Sequence, residues 1–203
     1  MSAELGLVEG VVYEVVAVSF STEPHPAPIG VRFRGGVYEA TIYHDTATYQ
    51  NLRVRPTCTL NIVRSGLVFY KAVRRKSDLS ILREGDYWFL ADADAWLGVG
   101  VSEESQDKGK SVFRFRENLF RSLQVKPRAY TRADGALIEM LVHESRIKPY
   151  IELGLIKDAE ALYGLIKHYY ELIARIASNT EYHTYAKAVY DSATRRMEAL
   201  KCG

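Results

Sequence analysis

Residues 44–51, His-Asp-Thr-Ala-Thr-Tyr-Gln-Asn, place an acid, two hydroxyls and an amide just ahead of an apolar run at 57–63. Pro56 keeps the residue before it out of helical angles, so a short helix over about 47–53 fits this stretch. Thr48 and Asn51 are three residues apart; on a helical turn they share a face and can both hydrogen-bond one ligand. A helix starting near Thr46 turns its first N–H groups back toward Tyr43 and His44, and those groups together with the helix dipole suit an anion. Arg53 and Arg55 add positive charge, so a phosphate fits here without a glycine-rich loop. The plainer alternative is that Asp45 or Thr46 caps the turn while Thr48 and Asn51 face water. The T-x-x-N spacing alone does not separate the two.

Other reactive residue types form weaker patterns. His25 and His44 flank the same region, but neither has a carboxylate and a nucleophile spaced for acyl chemistry. His143-Glu144-x-Arg146 lacks the second histidine of a zinc-protease helix, which favours a structural or surface role. Lys-Ala-Val-Arg-Arg-Lys at 71–76 is a basic run at an expected strand end, more consistent with a solvated turn than with a nucleic-acid surface. Cys58 and Cys202 are far apart and have no metal-ligand spacing, so neither a disulfide framework nor a metal site is expected.

The elements that must position these residues divide near residue 120. Val11–Phe20 is rich in β-branched residues and reads as a strand covered on both faces. Residues 29–43 read as a hairpin turning at Gly35-Gly36. Residues 57–63 and 67–73 read as a second strand pair around Arg64-Ser65-Gly66. Residues 85–103 and 111–116 continue the β texture, and the number of short strands suggests a barrel or sandwich. After residue 130 the apolar period becomes helical. One helix is expected over about 134–146. A second has Leu162, Leu165, Ile166, Tyr169, Leu172, Ile173 and Ile176 on one face. A third is opened by a Ser178/Glu181 capping box, with Tyr182, Tyr185, Val189, Met197 and Leu200 on one side. The tyrosines of the last two helices suit helix packing or a dimer surface.

A composition of 47% hydrophobic and 26% charged residues suits a globular chain, and a net charge of +2 gives no reason to expect a polyanion partner. No stretch approaches the roughly 20 apolar residues of a membrane span. The first ten residues lack the basic start and apolar core of a secretory signal, so a cytoplasmic location is expected.

The succession of "APIGV" (27–31), "TYQNL" (48–52) and "DGALIEMLVHESRI" (134–147) resembles the FMN-binding split β-barrel proteins. It is most similar to the DUF447 family among them, over roughly residues 10–195. The resemblance implies a split barrel over 8–120 and a helical C-terminal region over 121–203. Ala27, Pro28, Ile29 and Gly30 would lie along the isoalloxazine, and Gly30 would permit close approach. Thr46, Thr48 and Asn51 would bind the phosphate and ribityl chain, with Tyr43 and His44 beside them. Flavin reductases often carry a lysine before the threonine of this turn, whereas here the residues are Asp45-Thr46-Ala47. An acid fits beside a phosphate only if Asp45 points away and caps the turn. The resemblance further implies a homodimer with FMN at the interface and a flavin-reductase activity that takes hydride from NADH or NADPH. The alternatives are a flavin carrier without turnover and, from another class, a nucleic-acid-binding barrel.

Overall fold

The computed structural model describes Leu5, Gly10, residues 12–123 and residues 132–201. Cys202 and the rest of the N-terminal stretch, on which parts of the sequence reading rest, lie outside them. The chain divides into two compact units, Met1–Arg64 with Lys71–Pro127 and Ser65–Tyr70 with Arg128–Gly203.

The first unit is built on eight strands: β1 (Val12–Phe20), β2 (Pro24–Arg34), β3 (Val37–Tyr43), β4 (Thr57–Ile62), β5 (Ile81–Glu84), β6 (Tyr87–Leu90), β7 (Ala95–Asp107) and β8 (Lys110–Ser122). Six close into an antiparallel barrel in the order β1-β2-β3-β8-β7-β4. Gly35 and Gly36, at φ 57° and 77°, form the two-residue turn of the β2–β3 hairpin. Val15 and Ala17 of β1 join the barrel core with Val31, Leu60, Leu97, Phe113 and Phe115. The alternating residues Val16 and Val18 are also buried, so both faces of β1 are covered. On the outer side, the β5–β6 hairpin stacks Trp88 on Phe20 and Phe89 on Trp96. The buried Asn61 amide ties that hairpin to the barrel, donating to the Val16 carbonyl at 2.9 Å and accepting from the Leu90 N–H at 2.8 Å. One end of the barrel core is filled by α1 (Ala47–Val54), which contributes Tyr49 and Leu52.

One expected strand is a helix. Residues 67–73 lie in α2 (Gly66–Arg74), and β4 pairs with β1 and β7 instead. Val68, Phe69, Tyr70 and Ala72 are all buried, and an apolar run buried on nearly every side has no period to distinguish helix from strand. The basic run 71–76 therefore ends a helix rather than a strand.

The second unit packs α3 (Arg132–Glu152), α4 (Ile156–Ile176) and α5 (Glu181–Lys201). The Asp134 carboxylate accepts from the Gly66 N–H at 2.7 Å and from the Tyr182 hydroxyl at 2.9 Å, so α3 caps the start of α2. Glu144 of the His-Glu-x-Arg stretch is buried and accepts from Ser192 at 2.7 Å, while Arg196 donates to its backbone carbonyl at 3.0 Å. It pins α3 to α5. Tyr190 stacks on Tyr163 and Tyr170 between α4 and α5. The expected capping box is displaced. Asn179 takes a left-handed φ of 60°, and α5 starts after Thr180, whose carbonyl accepts from the Thr184 N–H at 3.2 Å. On α4, Ile166 and Ile173 of the expected apolar face are fully buried, whereas Leu165 and Ile176 are exposed. Among the described residues no helix is long and apolar enough to cross a membrane.

Candidate functional site

The barrel parts between β2 and β3. These strands pair only at their turn end, through Arg32↔Glu39, Phe33↔Tyr38 and Arg34↔Val37. Beyond that point β2 stays on β1 and β3 stays on β8. Continuing the hairpin register would set Gly30 against Thr41, Pro28 against Tyr43 and His25 against Thr46, yet none of these pairs forms. The edge of β2 over residues 25–30 that faces β3 thus has no ladder partner among the described residues. An open, groove-like cleft of about 390 Å³ runs over the sheet beside this parting, from Val12 of β1 across Gly30, Arg32, Glu39, Thr41 and Tyr43 to Val112 of β8; none of its lining comes from α1.

Ala27 and Ile29 pair across the ladder with Ala17 and Val15 and share their inward face, so Pro28 and Gly30 face outward. Side chains of the 27–30 segment therefore present alternate faces, and what the four residues share is the unladdered backbone edge. A Cβ at Gly30 would stand 3.2 Å from Val12 Cγ1 and 3.3 Å from Glu14 Oε1, so glycine keeps this side of the cleft open.

At the end of β3 the chain turns into α1, and Thr46 is its cap. Its hydroxyl accepts from the Tyr49 N–H at 3.2 Å and donates to the Tyr43 carbonyl at 2.7 Å, which commits it to the turn. Of the two residues expected as alternatives for the cap, Thr46 is the one that serves, and Asp45 is exposed and does not cap. His44 is fixed by Ser111, whose Oγ lies 2.8 Å from Nε2, and its ring centroid lies 4.4 Å from that of Tyr49. Asn51, buried, donates from Nδ2 to Ser19 Oγ at 3.1 Å and accepts from Ser21 Oγ at 2.8 Å. Thr48 is only 4% exposed; its hydroxyl makes no hydrogen bond among the described residues, and its oxygen is not among the solvent-excluded ones, so it still reaches the surface. It lies one turn ahead of Asn51 on the same helix face. The N–H groups of Ala47 and Thr48, at the first two helical positions, have no intrahelical acceptor.

The two arginines expected to add positive charge are committed elsewhere. Arg53 pairs with Glu103 at 2.7 Å; Arg55 pairs with Asp86 at 3.2 Å and lies 5.3 Å over the Phe20 ring. The Ser111 hydroxyl, followed by Arg53, holds the Glu103 carboxyl below its ordinary range. The cation near this end of β2 is instead Lys76, whose Nζ lies 2.9 Å from His25 Nε2. Burial, and then the Lys76 ammonium, push the His25 pKa down; burial lowers that of Lys76. Ser19, Ser21 and Lys76 were missed by sequence reasoning. Only the β1–β2 register and the path of the 3-10 turn Lys76–Asp78 bring them near Asn51 and His25.

Residues 13–121 match the family model described as the N-terminal domain of "Protein of unknown function (DUF447)", and residues 131–189 match the accompanying DUF447 model. The chain belongs to the DUF447 family. No curated protein matches it. Among solved structures it is similar to the FMN-bound protein MM1853 from Methanosarcina mazei, with a TM-score of 0.73 at 20% identity over 95% of this chain and 100% of that one. At that identity the likeness shows the fold. Weaker similarity extends to the NADH:FAD oxidoreductase SgcE6 of Streptomyces globisporus, with a TM-score of 0.49 at 10% identity over 60% of this chain and 86% of that one. It also extends to an FMN-binding protein from Thermus thermophilus with bound 1-cyclohex-2-enone, with a TM-score of 0.45 at 10% identity over 54% of this chain and 69% of that one.

Proposed function

We propose that this DUF447 protein binds FMN in the β2–β3 cleft and acts as an oxidoreductase of the flavin-reductase type. The observation that carries the reading is Thr48. A hydroxyl that bonds nothing among the described residues and still reaches the surface from a nearly buried side chain, beside two open N–H groups at a helix start, suits the oxygens of a phosphate. The cleft volume lies in the range of small-molecule sites, about 300–1,000 Å³. The unladdered β2 edge offers carbonyl oxygens and, because Pro26 and Pro28 have no N–H, a single N–H from Gly30 to the polar rim of a flavin ring. The FMN carried by MM1853, which shares the fold, supports the same assignment.

In this reading Thr48 and the α1 N-terminus hold the phosphate, Asn51 fixes that face of α1 against β1, and residues 27–30 lie along the ring. The chemistry that FMN supplies when bound is acceptance of hydride from NADH or NADPH. The protein's share is orientation and water exclusion. Val12, 46% exposed, and Tyr43, 60% exposed, leave apolar surface beside the cleft that a second subunit would cover, so the reading includes a homodimer with the cofactor at its interface.

The test is anaerobic addition of NADH, and separately NADPH, to the FMN-reconstituted protein. Loss of the oxidised-flavin absorbance supports the reductase. Flavin that stays bound and oxidised with both donors makes the protein a flavin-binding module instead.

A further inference from the structure

Resting on the FMN reading, we propose that Lys76 and His25 form the cationic half of the phosphate subsite and take the place of a lysine within the α1 turn. A phosphate dianion in a partly buried site calls for positive charge, and the turn itself supplies none: Asp45, Thr46 and Ala47 open it, and Arg53 and Arg55 are paired with Glu103 and Asp86.

The β1–β2 ladder brings the Lys76–His25 pair toward the face of α1 that carries Thr48 and Asn51. His25 is the ladder partner of Ser19, so their side chains share a face, and Ser19 receives the Asn51 amide at 3.1 Å. Thr48 stands on that helix face one turn closer to the α1 N-terminus.

The pair also lacks what would normally neutralise it. Lys76 Nζ lies 2.9 Å from His25 Nε2, both side chains are half-buried, and neither has a carboxylate partner among the described residues. Asp78, two residues along, is held by Arg75 at 2.9 Å. Two groups that both bear positive charge when protonated are brought together with no acid between them. An anion bridging them stabilises the arrangement, and burial and mutual repulsion disfavour their charged forms without it. The ligand this selects is a flavin with a terminal phosphate over one without.

The experiment compares FMN with riboflavin, which differ only by that phosphate, using flavin fluorescence titrations of the wild-type protein, Lys76→Met, Lys76→Arg and His25→Gln. Lys76→Met is expected to weaken FMN by at least about tenfold, the equivalent of about 1.4 kcal/mol, and to leave riboflavin within about twofold. Lys76→Arg should retain most FMN affinity, and His25→Gln should fall between the two. Inorganic phosphate should raise the Tm of the apo wild-type protein and not that of apo Lys76→Met, which also checks that the variant folds. An FMN affinity unchanged in Lys76→Met, or an equal loss for both flavins, overturns the proposal while leaving FMN binding in place. A wild-type protein that binds both flavins equally well overturns the phosphate subsite; one that binds neither overturns the FMN reading itself.

Discussion

Replacing Thr48 by valine separates a binding hydroxyl from a structural one. The side chains have nearly the same shape, and their helix propensities are close, so the change removes one hydroxyl from a residue 4% exposed and little else. That hydroxyl bonds nothing among the described residues, so its loss breaks no internal bond. The hydroxyl oxygen is not solvent-excluded, so water can serve it in the apo protein and its loss should leave stability within about 1 kcal/mol. FMN binding should weaken. A hydrogen bond to a charged group contributes about 1.5–3 kcal/mol, so affinity should fall roughly ten- to hundredfold. Riboflavin affinity should stay within about threefold, and Thr48→Ser, which keeps the hydroxyl, should stay close to wild type. Urea unfolding of the apo protein gives the first quantity and fluorescence titration the second. A variant less stable by more than about 1 kcal/mol would show that the hydroxyl bonds within the protein. An unchanged FMN affinity would remove Thr48 from the site.

Two further predictions concern contacts inside each unit. A Cβ at Gly66 would stand 2.5 Å from the backbone oxygen of Asp134, so backbone rather than a flexible side chain must move. Gly66→Ala should lose about 1–3 kcal/mol, a drop of roughly 2–12 °C in Tm by circular dichroism, and an unshifted Tm would contradict this close approach. Glu103 has a folded pKa below its ordinary 4.5, so its pairing with Ser111 and Arg53 contributes stability above that pH and loses it as pH falls through the folded value. The stability difference between wild type and Glu103→Gln should be present at neutral pH and shrink below about 4.5. A difference that persists at lower pH would refute the assignment.

Local pattern made the barrel strands readable. The β-branched run of β1, the Gly35-Gly36 turn and the proline that bounds α1 each act within a few residues. The common face of Thr48 and Asn51 was likewise legible, because a helical turn fixes it. What the sequence hid depends on distant chain. The start of α2 is tied to Asp134, 68 residues away, which no local pattern shows, and an apolar run buried nearly all round reads as a strand. Asn51 also bonds Ser19 and Ser21, which only the packing of α1 against β1 reveals. Thr46, for which the sequence left both a ligand and a capping role open, caps α1. The arginines looked like phosphate partners until Glu103 and Asp86, on β7 and the β5–β6 turn, came into contact with them. Composition can supply the right residue types near a site; which ones remain available is decided by partners far along the chain.

The central claim is that the β2–β3 cleft and the α1 N-terminus hold FMN. Its most direct test is an absorbance spectrum of the purified protein after incubation with FMN and removal of the excess by gel filtration. An oxidised-flavin spectrum that elutes with the wild-type protein and is diminished in Thr48→Val is the predicted result. A colourless wild-type protein fraction would contradict the account.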